Sequence, residues 1–237
     1  MTIGPIRWRH LALAVPSVLA WIMLSGSLVP GLPDFCGAGH SDTALLAGMG
    51  IALRLNPIGP LLLSWLLMLC AMMLPLLGAP IAQVGALGGS RFRRALVVLA
   101  FLSSYAAVWL AVLLLLAAAA MGLRLTTTMA PLIALGIAIV WQTTPIKARC
   151  LGLCRESGIA APGLAPELRG LCHGIATARA CAGSGWALMA LPFFFQTGHF
   201  VVMAVTAVVM IRERVPSDGG VPGENRGRRR VARLLGA

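Results

Sequence analysis

Long apolar runs, separated by short basic or Gly/Pro-rich stretches, set the pattern of this chain. From the N-terminus the runs cover residues 11–29, 57–77, 95–121, 129–144, 175–195 and 199–211. A helix needs about 20 mostly apolar residues to cross a bilayer core, and backbone in lipid must satisfy its polar groups internally. The pattern predicts an all-α fold, a polytopic membrane helical bundle of about six transmembrane helices. Between the runs lie a long loop at 30–56, a loop at 78–94 ending in Arg91, Arg93 and Arg94, and a short loop at 122–128. A Gly/Pro-rich loop at 156–170 and the turn Gln196-Thr197-Gly198 complete the connections. Part of 44–55 reads as a surface helix.

Composition strengthens this picture. Apolar residues make up 59% of the chain and charged residues 11%, against roughly 25% charged in an ordinary soluble domain. The net charge of +12 invites a nucleic-acid partner, but its distribution points to lipid. With the N-terminus inside, only Arg54 and Arg124 of the 19 Lys and Arg fall in outer loops. Arg179 sits at the inner edge of a span, where it can snorkel, and the rest lie in inner segments. That asymmetry predicts both termini cytoplasmic. No aromatic-interleaved basic face suggests nucleic acid, so the expected partner is the lipid bilayer. The basic start with Arg7 and Arg9, followed by an apolar run, also fits a signal peptide. The run is long and no Ala-x-Ala site follows, which favours an uncleaved first helix. Residues 1–215 then form a six-span membrane domain. Residues 216–237 form a basic, Gly-rich cytoplasmic tail, disordered and resting on anionic lipid. The six cysteines lie at different depths, so no disulfide framework is expected.

Candidate chemistry is soft. Met68 and Met72 are four residues apart and share a helix face with Trp65. Thioethers suit Cu(I), although methionine also packs irregular helix contacts, and spacing alone favours packing. Pro75 breaks the same helix and frees a backbone carbonyl. Cys150 and Cys154 share a face if their segment is helical and then have the spacing to ligate one soft metal together. The alternative is a pair of free thiols. Asp34, Cys36, His40 and Asp42 are metal-ligand types in a spacing that fits no defined motif, so a polar turn is the favoured reading. Tyr105, the chain's one tyrosine, lies near mid-span with Trp109, and its hydroxyl needs a hydrogen-bond partner there. Gly183, Ser184 and Gly185 let another helix approach closely. No acid/base pair or nucleophilic triad suggests an enzyme.

The most specific stretch is residues 141–155, WQTTPIKARCLGLCR. Gln142, Thr143 and Thr144 are costly near a membrane core, and Lys147 and Arg149 mark where the chain meets water. Trp141, Gln142, Thr144, Pro145, Lys147, Cys150, Leu151, Cys154 and Arg155 match the pattern aromatic-Gln-x-Thr-Pro-Leu-Lys-x-x-Cys-Leu-x-x-Cys-Arg. This resembles the signature of a bacterial family of predicted metal-binding integral membrane proteins, which includes a tyrosinase-associated copper-delivery protein. Ala71-Met72-Met73-x-Pro75 matches a second family signature. The resemblance covers about residues 57–214 and weakens toward the end. The family's Cys-Cys-Trp-x-Leu-Met is Ser184-Gly185-Trp186-Ala187-Leu188-Met189 here, with Cys181 one turn earlier, and its Met-Asn pair is replaced by His199-Phe200.

The resemblance implies a protein of the bacterial cytoplasmic (inner) membrane that binds Cu(I) and helps load a copper-dependent enzyme outside it. The implied ligands are drawn from Met68, Met72, Met73, Cys150, Cys154, Cys181, Met189, His199 and Met203. Gln142, Thr144, Pro145, Lys147, Tyr105 and Trp186 would support them. At the departures two readings stay open: Cys181 and His199 have taken over ligand roles, or the site is lost and only the scaffold remains. His199, at a helix start, reads more readily as a hydrogen-bonded end residue. Two other functions fit the same pattern, a metal or small-solute permease subunit and a non-metal membrane assembly subunit.

Overall fold

The computed structural model describes residues 5–25, 58–123, 129–156, 163–195 and 198–214. Regular structure among them is entirely helical. The loop with Asp34, Cys36, His40 and Asp42, the possible surface helix at 44–55 and the tail at 216–237 lie outside the described residues, as do 124–128, 157–162 and Gln196-Thr197.

Helix α1 covers Pro5–Leu24 and α2 covers Ile58–Met73. A 3-10 turn, Leu74–Leu77, joins α2 to α3, Gly78–Gly85. The helical path therefore continues through residues expected to form a loop. Pro75 and Pro80 each sit near the start of their element, where a missing N–H costs little. The loop proper is short and ends at Ser90, whose hydroxyl accepts from the Arg93 N–H and so caps the next helix. Arg94 Nε reaches back to the Gly85 carbonyl at 2.8 Å, a cation satisfying the end of α3.

The proline also decides how α1 docks. Pro75 cannot donate to the carbonyl four residues earlier, that of Ala71. Ser17 Oγ donates to that oxygen at 2.8 Å and Trp21 Nε1 at 3.2 Å. The freed carbonyl thus binds α1 to α2.

Helix α4 covers Arg91–Leu123, α5 Ala130–Gln142, α6 Pro145–Glu156, α7 Pro166–Phe194 and α8 His199–Arg214. Helix α7 starts nine residues before the apolar run at 175, taking in part of the expected loop. Glu167 in its first turn pairs with Arg93 at 2.9 Å. A backbone hydrogen bond at the helix start, followed by Arg93, holds its carboxyl below the usual carboxylate range. From there α4 and α7 run parallel. A Cβ built on Gly170 would lie 2.7 Å from the Val97 carbonyl oxygen, and one on Gly174 2.0 Å from Ser104 Oγ. This Gly-x-x-x-Gly stripe allows two backbones to approach where any side chain would collide. Helices α6 and α8 pack antiparallel on the far half of α7, where Cys150 meets Gly183 and Met210 meets Gly185.

One core, including Trp65, Met72, Phe101, Tyr105, Ala178, Cys181 and Met203, runs through the bundle. By length and composition, Trp65–Gly85 and Arg91–Leu116 are long and apolar enough to cross a membrane. Helices α5 and α6 pass the same test only as a pair, bent by 69° at Thr143 and Thr144. Leu13–Leu24 is a shorter apolar helix.

Candidate metal centre

The polar signature builds the elbow that makes the centre. Helix α5 ends at Gln142, and Thr143 turns the chain. Thr144 Oγ1 donates to the Trp141 carbonyl at 2.8 Å and accepts from the Lys147 N–H at 3.3 Å. It therefore closes one helix and caps the next, with Pro145 in the first helical position, where its fixed φ suits a helix start. The 69° bend follows, and it lays α6 across α7.

Lys147 is buried rather than at the water boundary: it is 4% exposed, and its ammonium pairs with Glu213 on α8. Gln142 Nε2 donates to the same carboxylate oxygen at 3.0 Å. A charge at this depth is tolerated because it is paired. Arg149, two residues on, is exposed. Trp141 adds a second link, with its indole N–H on the Gly183 carbonyl at 3.1 Å and its ring edge-on to Trp186, centroids 5.1 Å apart.

Because residues 145–156 are helical, Cys150 and Cys154 do share a face, and that face lies on α7. Cys150 Sγ would be 2.5 Å from a Cβ at position 183, so glycine is what admits it. Cys154 Sγ lies 3.9 Å from Cys181 Sγ and 3.9 Å from Ser184 Oγ. Ser184 in turn donates to the Cys181 carbonyl at 3.0 Å. Arg214 Nη2, from the last turn of α8, donates to Cys181 Sγ at 2.8 Å. Tyr105 on α4 lies in electrostatic reach of Cys181 and Arg214. Its hydroxyl and the Trp109 indole N–H are both buried there. Four helices thus contribute to the surroundings of one thiol pair.

Two sulfurs 3.9 Å apart on different helices are near enough for both to contact one soft ion. The donors are soft, as Cu(I) prefers. Among the described residues no group of three or more His, Cys, Asp or Glu comes together.

The other candidates fall differently. Met68, Met72, Met73, Met189 and Met203 are all buried in the common core, alongside Trp65, Leu69 and Leu188. His199 opens α8, one turn before Met203. Met210 was not singled out in the sequence, yet its Sδ lies 3.3 Å from a Cβ built at Gly185, one turn along α7 from Cys181. The signal for it was the small residue at Gly185, which needs a neighbour to fill its space. His173 Nε2 and Thr177 Oγ1, at four-residue steps before Cys181, are buried without hydrogen-bond partners among the described residues.

Comparison with known proteins bears on this arrangement. A family model described as PpoB2: Copper chaperone matches residues 62–228, a range containing the elbow, the thiol pair and Arg214. No curated protein matches, and no solved structure matches.

Proposed function

This chain belongs to the PpoB2 copper chaperone family, and from that premise we propose that it binds Cu(I) between Cys154 and Cys181 and passes it to a copper-dependent enzyme. The role is accessory, with copper as cargo. The observation that carries the reading is the 3.9 Å separation of two sulfurs held by different helices. Cys150 and Met210, packed on the adjacent turns of α7, are the next soft donors along a hand-over path. In this reading Cys181 has taken the place of the paired cysteines that Ser184 and Gly185 replace.

The protein acts in the bacterial cytoplasmic membrane, with residues 1–215 forming six spans and 216–237 a cytoplasmic tail. Several observations support that topology. Leu63, Leu115, Leu132, Val140 and Val201 present exposed apolar surface on α2, α4, α5 and α8, as lipid-facing positions would. Helices α4 and α7 are parallel, as third and fifth spans must be, and both start beside arginines that the positive-inside rule places in the cytoplasm.

Detergent-purified protein, expressed with copper and kept reduced, will carry near-stoichiometric copper by elemental analysis. The Cys154→Ser/Cys181→Ser variant will lose most of it; equal copper in that variant would sink the reading. The bent α5–α6 pair with its buried Lys147–Glu213 link also has the form of a transporter's broken helix. Copper flux into proteoliposomes that stops in the same double variant would move the reading from delivery to transport.

A further inference from the structure

The thiol pair has a permanent cation built against it. Arg214 Nη2 sits 2.8 Å from Cys181 Sγ, and its guanidinium also acts electrostatically on Cys154 and Tyr105. An arginine keeps its charge at any working pH. Lys147 on α6 and Glu213 on α8 pair with each other and sum to zero. Arg179 and Arg212 are exposed. Among the described residues, Arg214 is the charged group in contact with the pair.

Loading the pair with an ion M and losing both thiol protons to solvent leaves two thiolates around it. With a monovalent ion the group M(SR)2 carries −1, and Arg214 brings the total to zero. With a divalent ion the group is neutral, and Arg214 is left as an uncompensated, partly buried charge. Burying an unpaired charge is costly, whereas a paired one inside a protein interacts strongly.

We infer that Arg214 sets the valency of the cargo: it is a specificity residue that makes the Cys154–Cys181 site select soft monovalent ions over soft divalent ones. The inference rests on the proposed thiol-pair site and adds to it a reason, internal to this chain, for Cu(I) over Zn(II) or other thiophilic divalent ions. Arg214 takes this role without ligating the metal. Its side chain gives up or shares the Cys181 sulfur when the ion arrives and stays as the counter-charge.

The test uses the full chain in detergent under reducing conditions, with Ag(I) as a redox-stable monovalent probe and Cd(II) as a divalent one. Affinities come from equilibrium dialysis against competing thiol ligands. Arg214→Gln lowers the ratio of Ag(I) to Cd(II) affinity by about tenfold or more, and Arg214→Lys keeps most of the wild-type ratio. A loss of folded protein lowers both affinities together and leaves their ratio unmoved, so the ratio reads charge rather than stability. An unchanged ratio in Arg214→Gln overturns the inference while leaving the site in place. Undiminished Ag(I) binding in Cys154→Ser/Cys181→Ser overturns the site itself, and the role of Arg214 with it.

Discussion

Thr144 carries more of the centre than its size suggests. Its hydroxyl is bonded both to the end of α5 and to the start of α6, so it fixes the elbow that aims Cys154 at Cys181. Thr144→Ala should cost about 1 kcal/mol of stability, the usual worth of a helix cap, while Thr144→Ser should cost little. Thermal unfolding in detergent checks both, and a Ser variant as damaged as the Ala variant would contradict the capping role. Lys147 teaches a related point. In the sequence it reads as the residue that meets water, because a lysine after a proline-broken span commonly does. Its partner Glu213 lies 66 positions away, and only tertiary packing brings the two together.

Among the elements, α7 is the one the others are placed against. Its first half is built for backbone contact and its second half for sulfur. Gly170 and Gly174 bring α4 within van der Waals range, while Gly183 and Gly185 receive Cys150 and Met210. The close approach expected at Gly183–Gly185 is present, but the tighter one at Gly170 and Gly174 was hidden in a stretch read partly as loop. A Cβ at position 174 would lie 2.4 Å from the Phe101 carbonyl oxygen, and backbone cannot give way as a side chain does. Gly174→Ala should therefore destabilise the bundle by about 1–3 kcal/mol. Gly136→Ala on α5, where an added Cβ meets nothing within 4 Å, serves as the control. Equal thermal midpoints for the two variants would show that α4 and α7 do not depend on this seam.

For the whole molecule, the parallel pairing of α4 and α7 implies a return crossing between them, and α5 with α6 is the segment available to make it. The bend in that segment turns a connection into half of the thiol site. Proposed topology and proposed chemistry are thus linked: the break in the returning helix lays α6 across α7 and brings Cys154 to Cys181. Reporter fusions at the N-terminus and after residue 237 should both report from the cytoplasm. A C-terminal fusion reporting from outside would remove one span and reverse the ends of α8, taking Arg214 to the other face.

Much of this architecture is written in the apolar runs, because a helix's need to bury its polar backbone acts locally and leaves a period and a length in the chain. All-α character, the break at Pro75 and the helix-ending role of Thr144-Pro145 follow from properties of a few neighbouring residues. Helix α3, the early start of α7 and the buried state of Lys147 do not, since polar or Gly-rich composition is compatible with either a loop or a packed helix end. The choice of Cys181 as partner for Cys154 belongs to the same class. Its spacing from Cys154 carries no signal, and the pairing exists because two glycine faces of α7 admit α6 and α8 closely enough for one sulfur to meet another and an arginine to reach Cys181.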